Sequence, residues 1–394
     1  MKIAIITPAS IPATQFGGIL FLGVNAARIL SKKGNEVTIF TTDLDLANNP
    51  TTFNKKLQRL EKVENFHINR THVWFSKYLF FVNPGMYRQL MNSDMDIIHA
   101  IGIRSFQAII AAIVSKKKKI PLIISDQGGL TTHPDIKNSN LFKKILINLQ
   151  QPILKFIINQ SKIVIVPNEY EKNIFEKFCS NSKIEIIKNG VDINELKKPN
   201  FSFKQKNKIE NKFILFLGRF DKIKGIDTLL LAINNIKKQI NNYKFVLMGA
   251  DFGYESQMKK MIEELQIQKN IILIKKPTRE EVIAAYYESE YLVLPSRWEL
   301  SPLTPLEGFA CKKTIISTTA HGIPFTLSNN VDSLLVPPGD PIKLGEAIIL
   351  LLNNPELREK LENAGQKLVY NECNSEIMIE KYFLIYKKAI EDGQ

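Results

Sequence analysis

At 394 residues the chain is too long for a single hydrophobic core and predicts two domains of about 150–200 residues each. Hydrophobic residues make up 44% of it and are spread evenly, so a large buried core is within reach. The net charge of +14 favours anionic partners, whether nucleic acid, a phosphorylated small molecule or an acidic membrane face. Because Lys, Asn and Ile are abundant throughout, a generally solvated basic surface accounts for that charge equally well.

No uncharged apolar run reaches about 18 residues, which excludes an apolar membrane-spanning helix. Met1 leads directly into "KIAIITP", a first strand, so no signal peptide is expected. Cys179, Cys311 and Cys373 lack metal-ligand spacing, and so sparse and odd a count fits a reducing, cytoplasmic compartment.

In the first half, aliphatic runs predict strands at 2–7, 36–41, 96–100, 120–125 and 162–166. Between the first two, "GGILFLGVNAARILSKKGN" repeats its apolar residues at three and four and stops at Gly34, so strand, glycine turn, helix and strand form a βαβ unit. Near 190 the pattern resets: a turn at Asn189-Gly190 opens a polar, lysine-rich linker. Strands then follow near 213–218, 244–249, 270–275, 290–294, 313–317 and 333–336. Helices fit 226–240, 255–267, 279–288, 303–311, 341–353 and 355–368, and "NSEIMIEKYFLIYKKAIEDGQ" is a last helix. The expected fold class is α/β, with two Rossmann-like, doubly wound domains, residues 1–195 and 196–371, facing across a cleft.

The stretch "PSRWELSPLTPLEGFA" places Glu299 and Glu307 eight residues apart, between two apolar strands. Thr304, Pro305 and Glu307 match a helix start, with Thr as N-cap, Pro at N1 and Glu at N3, and that capping box accounts for Glu307 structurally. It leaves Glu299 unexplained. A helix start at a strand's carboxyl end offers N–H groups and a positive dipole end to a phosphate. A carboxylate beside it can accept two hydrogen bonds from a ribose diol, and one across the loop can hold the hydroxyls of a second ring. A second constellation, "FILFLGRFDKIKGIDTLL", puts Gly218-Arg219 at a strand end and Lys224-Gly225 before a helix. Arg219 offers forked donors to phosphate oxygens and Lys224 a point charge, although one lysine carries little weight in so lysine-rich a chain.

On these residues the sequence resembles the retaining glycosyltransferases of family 4, which have the two-Rossmann-domain GT-B architecture. The resemblance also takes in "FGGI", "NGVD", "VLMGAD", "VPPGDPIKLGEAI" and "LREKLENAG", nearly the whole chain. It implies that Glu307 holds the ribose of a UDP- or GDP-type nucleotide-sugar donor and Glu299 the sugar hydroxyls. Ser301 and Leu303 lie beside the donor on the same stretch, and Arg219 and Lys224 neutralise the diphosphate. Gly17 and Gly18 either let the first loop approach that phosphate or form a simple tight turn. The resemblance further implies that residues 1–195 bind the acceptor, a glycan or a lipid-linked molecule, that residues 196–371 bind the donor, and that a final helix of about 372–394 packs back on the first domain. Transfer would proceed by front-face attack, the leaving phosphate helping to take the acceptor proton.

The chain departs from the family at several positions. Where many members carry a His followed by an acid it has Ser125-Asp126-Gln127, so Asp126 is the acceptor-side candidate, with His133 nearby more simply a solvated loop residue. "ACKKTII" lacks the usual glycine near Lys312, and His321, where glycine is common, either reaches the sugar or fills space. His99 ends a strand and reads as structural. Two rivals remain: a sugar-nucleotide 2-epimerase of the same fold, for which no acid/base set is evident, and a non-catalytic partner subunit, which would be expected to lack Glu299 or Arg219.

Asp43-Leu44-Asp45 and Asp94-Met95-Asp96 resemble metal-holding acid pairs, but neither lies in the half with the donor residues, so no metal or cofactor is expected. The tetralysine Lys116–Lys119 and the basic, apolar segment 140–160 suit peripheral docking on the anionic inner face of a membrane, or else a buried helix with a solvated lysine loop. Nucleic acid is not counted among the partners.

Overall fold

The computed structural model describes residues 1–45, 52–77, 79–128, 130, 141–240 and 242–392. The chain divides into two compact units, residues 1–189 with 375–394, and residues 190–374.

The first unit opens with β1 (Lys2–Ile6), α1 (Gly18–Lys32) and β2 (Glu36–Thr42). Next come β3 (Leu60–Val63), β4 (Phe66–Thr71), a two-stranded hairpin of β5 (Phe75–Lys77) and β6 (Phe80–Val82), and α2 (Gly85–Asn92). The unit continues with β7 (Ile97–Ile101), α3 (Phe106–Lys118), β8 (Leu122–Ser125), α4 (Leu141–Gln160), β9 (Ile163–Val166), α5 (Glu169–Phe175) and β10 (Ile184–Ile186). Its sheet runs β10-β9-β8-β7-β1-β2-β4-β3, parallel except for β3 against β4. The aliphatic strands β1, β7, β8 and β9 are buried almost throughout, as strands covered on both faces must be.

The second unit contains α6 (Phe203–Lys206), β11 (Lys212–Leu217), α7 (Ile226–Ile236), β12 (Tyr243–Gly249), α8 (Glu255–Glu264), β13 (Ile271–Lys275) and α9 (Arg279–Glu288). It closes with β14 (Leu292–Val293), α10 (Leu303–Ala310), β15 (Ile315–Thr318), β16 (Ser333–Val336), α11 (Pro341–Asn353) and α12 (Pro355–Asn371). Its six strands are all parallel, in the order β13-β12-β11-β14-β15-β16. The order reverses between β11 and β14, the switch point where doubly wound sheets open a crevice beyond their carboxyl ends. A last helix, α13 (Ser375–Glu391), returns to the first unit, where Met378, Ile379, Tyr382 and Tyr386 are buried and Ser375 accepts from Asn25 Nδ2 at 3.4 Å.

The aliphatic runs predicted from sequence coincide with the buried parallel strands to within a residue or two. The elements between 60 and 82 escaped that reading. β3 is largely exposed and β4 alternates buried with half-buried residues, so neither shows an unbroken aliphatic run.

Candidate active site

Two of the residues singled out from sequence, Lys224 and Glu299, meet at the switch point of the second unit, with Arg219 just past the end of β11. β11 ends at Leu217, and Gly218-Arg219 follow directly; Arg219 stacks over the Phe252 ring, 4.8 Å from its centroid. Asp221 caps the next turn by accepting from Ile223 N at 3.1 Å, and Lys224 closes it. Gly225 has φ +68°, and a Cβ there would lie 2.0 Å from the Pro295 carbonyl, so glycine alone lets this turn touch the loop after β14. That contact brings Lys224 Nζ into an ion pair with Glu299, each side chain only 13% exposed. Ser296 Oγ donates to the same Glu299 oxygen at 3.2 Å.

Arg297 fastens the two loops together. Its guanidinium takes Asp227 bidentately at 2.6 and 2.9 Å and donates to Thr228 Oγ1 at 2.9 Å, while its backbone N–H donates to Ile223 O at 2.8 Å. Two parallel N–H···O bonds fix orientation as well as distance. The Lys224–Glu299 pair is therefore held by the framework around it.

Glu307 corrects the sequence reading. α10 begins at Leu303 behind Pro302, and no side chain caps it, so the Thr304 capping box does not form and Glu307 is the fifth helical residue. The Glu307 carboxylate is 6% exposed. It accepts from Arg279 Nη1 at 3.0 Å and Nη2 at 2.8 Å, and from Tyr286 OH at 2.8 Å. Arg279 Nη2 also reaches Glu195 Oε2 at 2.9 Å. Burial works against the Arg279 charge, but Glu307 and Glu195 more than offset it and hold that guanidinium above the ordinary arginine range. Burial, then Glu307, raises the Tyr286 phenol well above its usual value, so it stays a hydrogen-bond donor. Three of the roughly four acceptor positions of the carboxylate are filled from within the protein. Ser301 is half-buried just ahead of the helix, and Leu303 is its first residue.

In the first unit, Gly17 has φ +100° and caps α1, a conformation that side-chain-bearing residues avoid, and Gly18 is the first residue of the helix. Asp126, just past β8, is buried, with its two oxygens accepting from Ile103 N and Leu130 N at 3.3 Å each. Burial, and then the charge of Asp126, push the buried Glu171 carboxyl well above its usual range. Asn189 and Gln127 exchange amide hydrogen bonds at 2.8 and 3.0 Å. His99 is fully buried between Ser125 Oγ, 2.6 Å from Nε2, and the Tyr386 hydroxyl, and desolvation lowers its pKa to about 3. His133 lies outside the described residues.

The acid pairs are occupied by protein partners. Asp43 accepts from Val73 N at 3.0 Å and contacts His72 Nδ1 at 2.5 Å, and Asp45 accepts from Asn54 Nδ2 at 2.9 Å. Asp94 pairs with Lys2 Nζ at 2.5 Å, and Asp96 accepts from Lys2 N at 2.7 Å. Among the described residues, no group of three or more His, Cys, Asp or Glu side chains is placed to hold a metal ion. Part of the tetralysine is also committed: Lys118 Nζ donates to Met91 O at 3.2 Å, and Lys117 Nζ lies 5.3 Å from the Tyr87 ring centroid.

Residues 197–368 match the family described as glycosyl transferases group 1, and residues 16–195 match glycosyltransferase family 4. The chain belongs to glycosyltransferase family 4. An uncharacterised glycosyltransferase of Methanocaldococcus jannaschii is 28% identical to it over 306 residues, 76% of each chain. N-acetyl-alpha-D-glucosaminyl L-malate synthase of Bacillus anthracis is 22% identical over 387 residues, 96% of each chain. Among solved structures, Anabaena HepE in complex with UDP and glucose has the same fold, with a TM-score of 0.75 at 14% identity over 98% of this chain and 100% of that one.

For this glycosyltransferase, sequence reasoning missed Arg279, Tyr286 and Arg297. One signal was present for the first two. Arg279 and Tyr286 stand seven apart, two helical turns, on one face of α9.

Proposed function

We propose that the protein transfers a sugar from a UDP- or GDP-linked donor to a glycan or lipid-linked acceptor, with retention of anomeric configuration and without a divalent metal. The observation that carries this reading is the Lys224–Glu299 ion pair at the switch point of the second unit, with Arg219 at the end of the adjoining strand. In this reading the donor diphosphate takes Lys224 from Glu299, and the released carboxylate accepts from the sugar hydroxyls. Arg219 and Lys224 then bear the negative charge that grows on the leaving diphosphate, where two cations already supply what a metal would. Glu307, oriented by Arg279 and Tyr286, offers its remaining acceptor position to the ribose. The bond from the anomeric carbon to the diphosphate oxygen breaks as the acceptor oxygen bonds on the same face. The acceptor proton passes to the departing phosphate. Asp126 stands as the acceptor-side candidate in the first unit. HepE was solved with UDP and glucose, which supports a nucleotide-sugar donor here.

A panel of nucleotide sugars, read by thermal stabilisation and by slow hydrolysis without acceptor, tests this. One UDP- or GDP-sugar should raise the unfolding midpoint and release its diphosphate. Conversion of the sugar nucleotide to its epimer, with no diphosphate released, would assign the chain to the epimerases instead.

A further inference from the structure

The hairpin between β4 and α2 is anchored through Phe81 and Phe80 and still leaves three large apolar side chains in water. Phe81, on the inner face, is buried; its ring meets Phe53 edge-on at 5.4 Å, and its carbonyl accepts from Gln107 Nε2 at 2.8 Å. Phe80 meets Phe106 of α3 at 6.3 Å, and Trp74 N donates to Val82 O at 2.8 Å. Phe75 pairs with Val82, on the face that Phe80 shares, and stays exposed beyond the Phe80–Phe106 contact. Trp74 is 75% exposed, Phe75 58% and Leu79 39%. A fixed backbone that presents two aromatic side chains and a leucine to water is unusual for a surface with nothing to cover it.

The charge of the chain on either side of the hairpin indicates what covers it. Lys55, Lys56, Arg59, Lys62, Lys77 and Arg88 are all exposed. Between residues 52 and 92 the only acids are Glu61 and Glu64, and these already pair with Arg70 and Arg28. Exposed aromatic and aliphatic tips on a stretch of chain so rich in exposed lysine and arginine match the chemistry of an anionic bilayer surface, where rings settle at the headgroup level and cations meet lipid phosphate. The hairpin also follows β4 at the carboxyl edge of its sheet, the edge that carries Gly17 and Asp126. We infer that this hairpin docks the protein on an anionic membrane by inserting Trp74, Phe75 and Leu79 into the interface. The choice of a lipid-linked acceptor rests on the transfer reading above, whereas the docking does not and is measured without donor.

The test uses the full chain with vesicles of phosphatidylglycerol and phosphatidylcholine, some carrying brominated acyl chains. The protein should float with the anionic vesicles, and the bromines should quench a part of the tryptophan emission that Trp74→Phe abolishes. Trp74→Ser and Phe75→Ser should each weaken partitioning about tenfold or more, and Lys77→Gln or Arg88→Gln about fivefold. All four positions are exposed, so far-ultraviolet circular dichroism and the melting midpoint should stay as in the parent. Flotation unchanged by Trp74→Ser with Phe75→Ser, or emission untouched by the brominated lipid, would overturn the assignment. So would a lipid-free, concentration-dependent dimer that Trp74→Ser dissolves, which would assign the hairpin to self-association.

Discussion

Arg279 closes on both oxygens of Glu307, with Nη1 3.0 Å from Oε2 and Nη2 2.8 Å from Oε1. A buried carboxylate gripped in this way both stabilises the fold and aims a ligand contact, so its removal cannot affect one alone. Glu307→Gln should therefore lower unfolding free energy by about 2 kcal/mol or more, because it leaves a largely buried guanidinium half-paired, and should also weaken nucleotide binding. Denaturant unfolding and calorimetric titration with UDP and GDP read the two effects. A stability loss with unchanged nucleotide affinity would confine Glu307 to the framework.

Arg219 and Lys224 should matter more to turnover than to donor binding, since the charge they face grows as the diphosphate leaves. Alanine at both positions should lower kcat by about a hundredfold or more with a smaller change in KM. Steady-state kinetics with a saturating acceptor separates the two, and an intact kcat would remove both from the reaction.

Transfer should survive exhaustive chelation. Asp43→Asn should cost stability through its loss of charge beside His72 and Val73 N, with the rate per folded molecule unchanged. Initial rates before and after chelation, followed by Mn²⁺ addition, decide this. Activity lost on chelation and restored by Mn²⁺ would place the donor diphosphate elsewhere.

Acid should unfold the first unit in part through His99. Its folded pKa is about 3, against about 6.5 in an unfolded chain, so between these values the unfolded state binds the extra proton. Stability is full above about pH 6.5 and falls as pH drops toward 3, by about 2 kcal/mol at pH 5 from this group alone. His99→Asn cannot titrate, and urea midpoints measured from pH 7 to 5 should fall less steeply for it than for the parent.

Glu171 has the opposite sign. Its carboxyl is raised by burial and by Asp126, so the stability tied to its proton is present at low pH and lost as pH rises through its folded value. Glu171→Gln removes that penalty and should raise the neutral-pH melting midpoint. A midpoint that falls instead would show that the ionised carboxyl is needed where it stands.

How much of this was readable beforehand depended on what each residue type can signal alone. Strands covered on both faces appear as aliphatic runs, so β1, β7, β8 and β11 were legible. β3 to β6 lie at an edge or in a hairpin, where polar residues interrupt the run. Lys224 and Glu299 were found as two separate candidates, and their pairing is a tertiary fact that no spacing contains. Glu307 was misread because α10 starts two residues earlier than the capping box requires, which takes it out of capping reach, and its carboxylate meets the preceding helix α9 instead. Lys312 and His321, standing where glycine was expected, have φ of +57° and +49°, so the left-handed backbone persists there without the glycine.

The chain leaves the first unit near Asn189 and re-enters it at Ser375, and the two crossings touch: Val191 N donates to Cys373 O at 3.0 Å. Topologically, the second unit is an insertion whose entry and exit are neighbours, with its own sheet and core. Residues 190–374 thus have the topology of a cassette, whose neighbouring ends a circular permutation would join without stretching. The first unit has no such freedom. A truncation that stops before Ser375 strips the partners of His99 and Asn25 from the opposite end of the sequence, so a late frameshift would damage the domain that is made first.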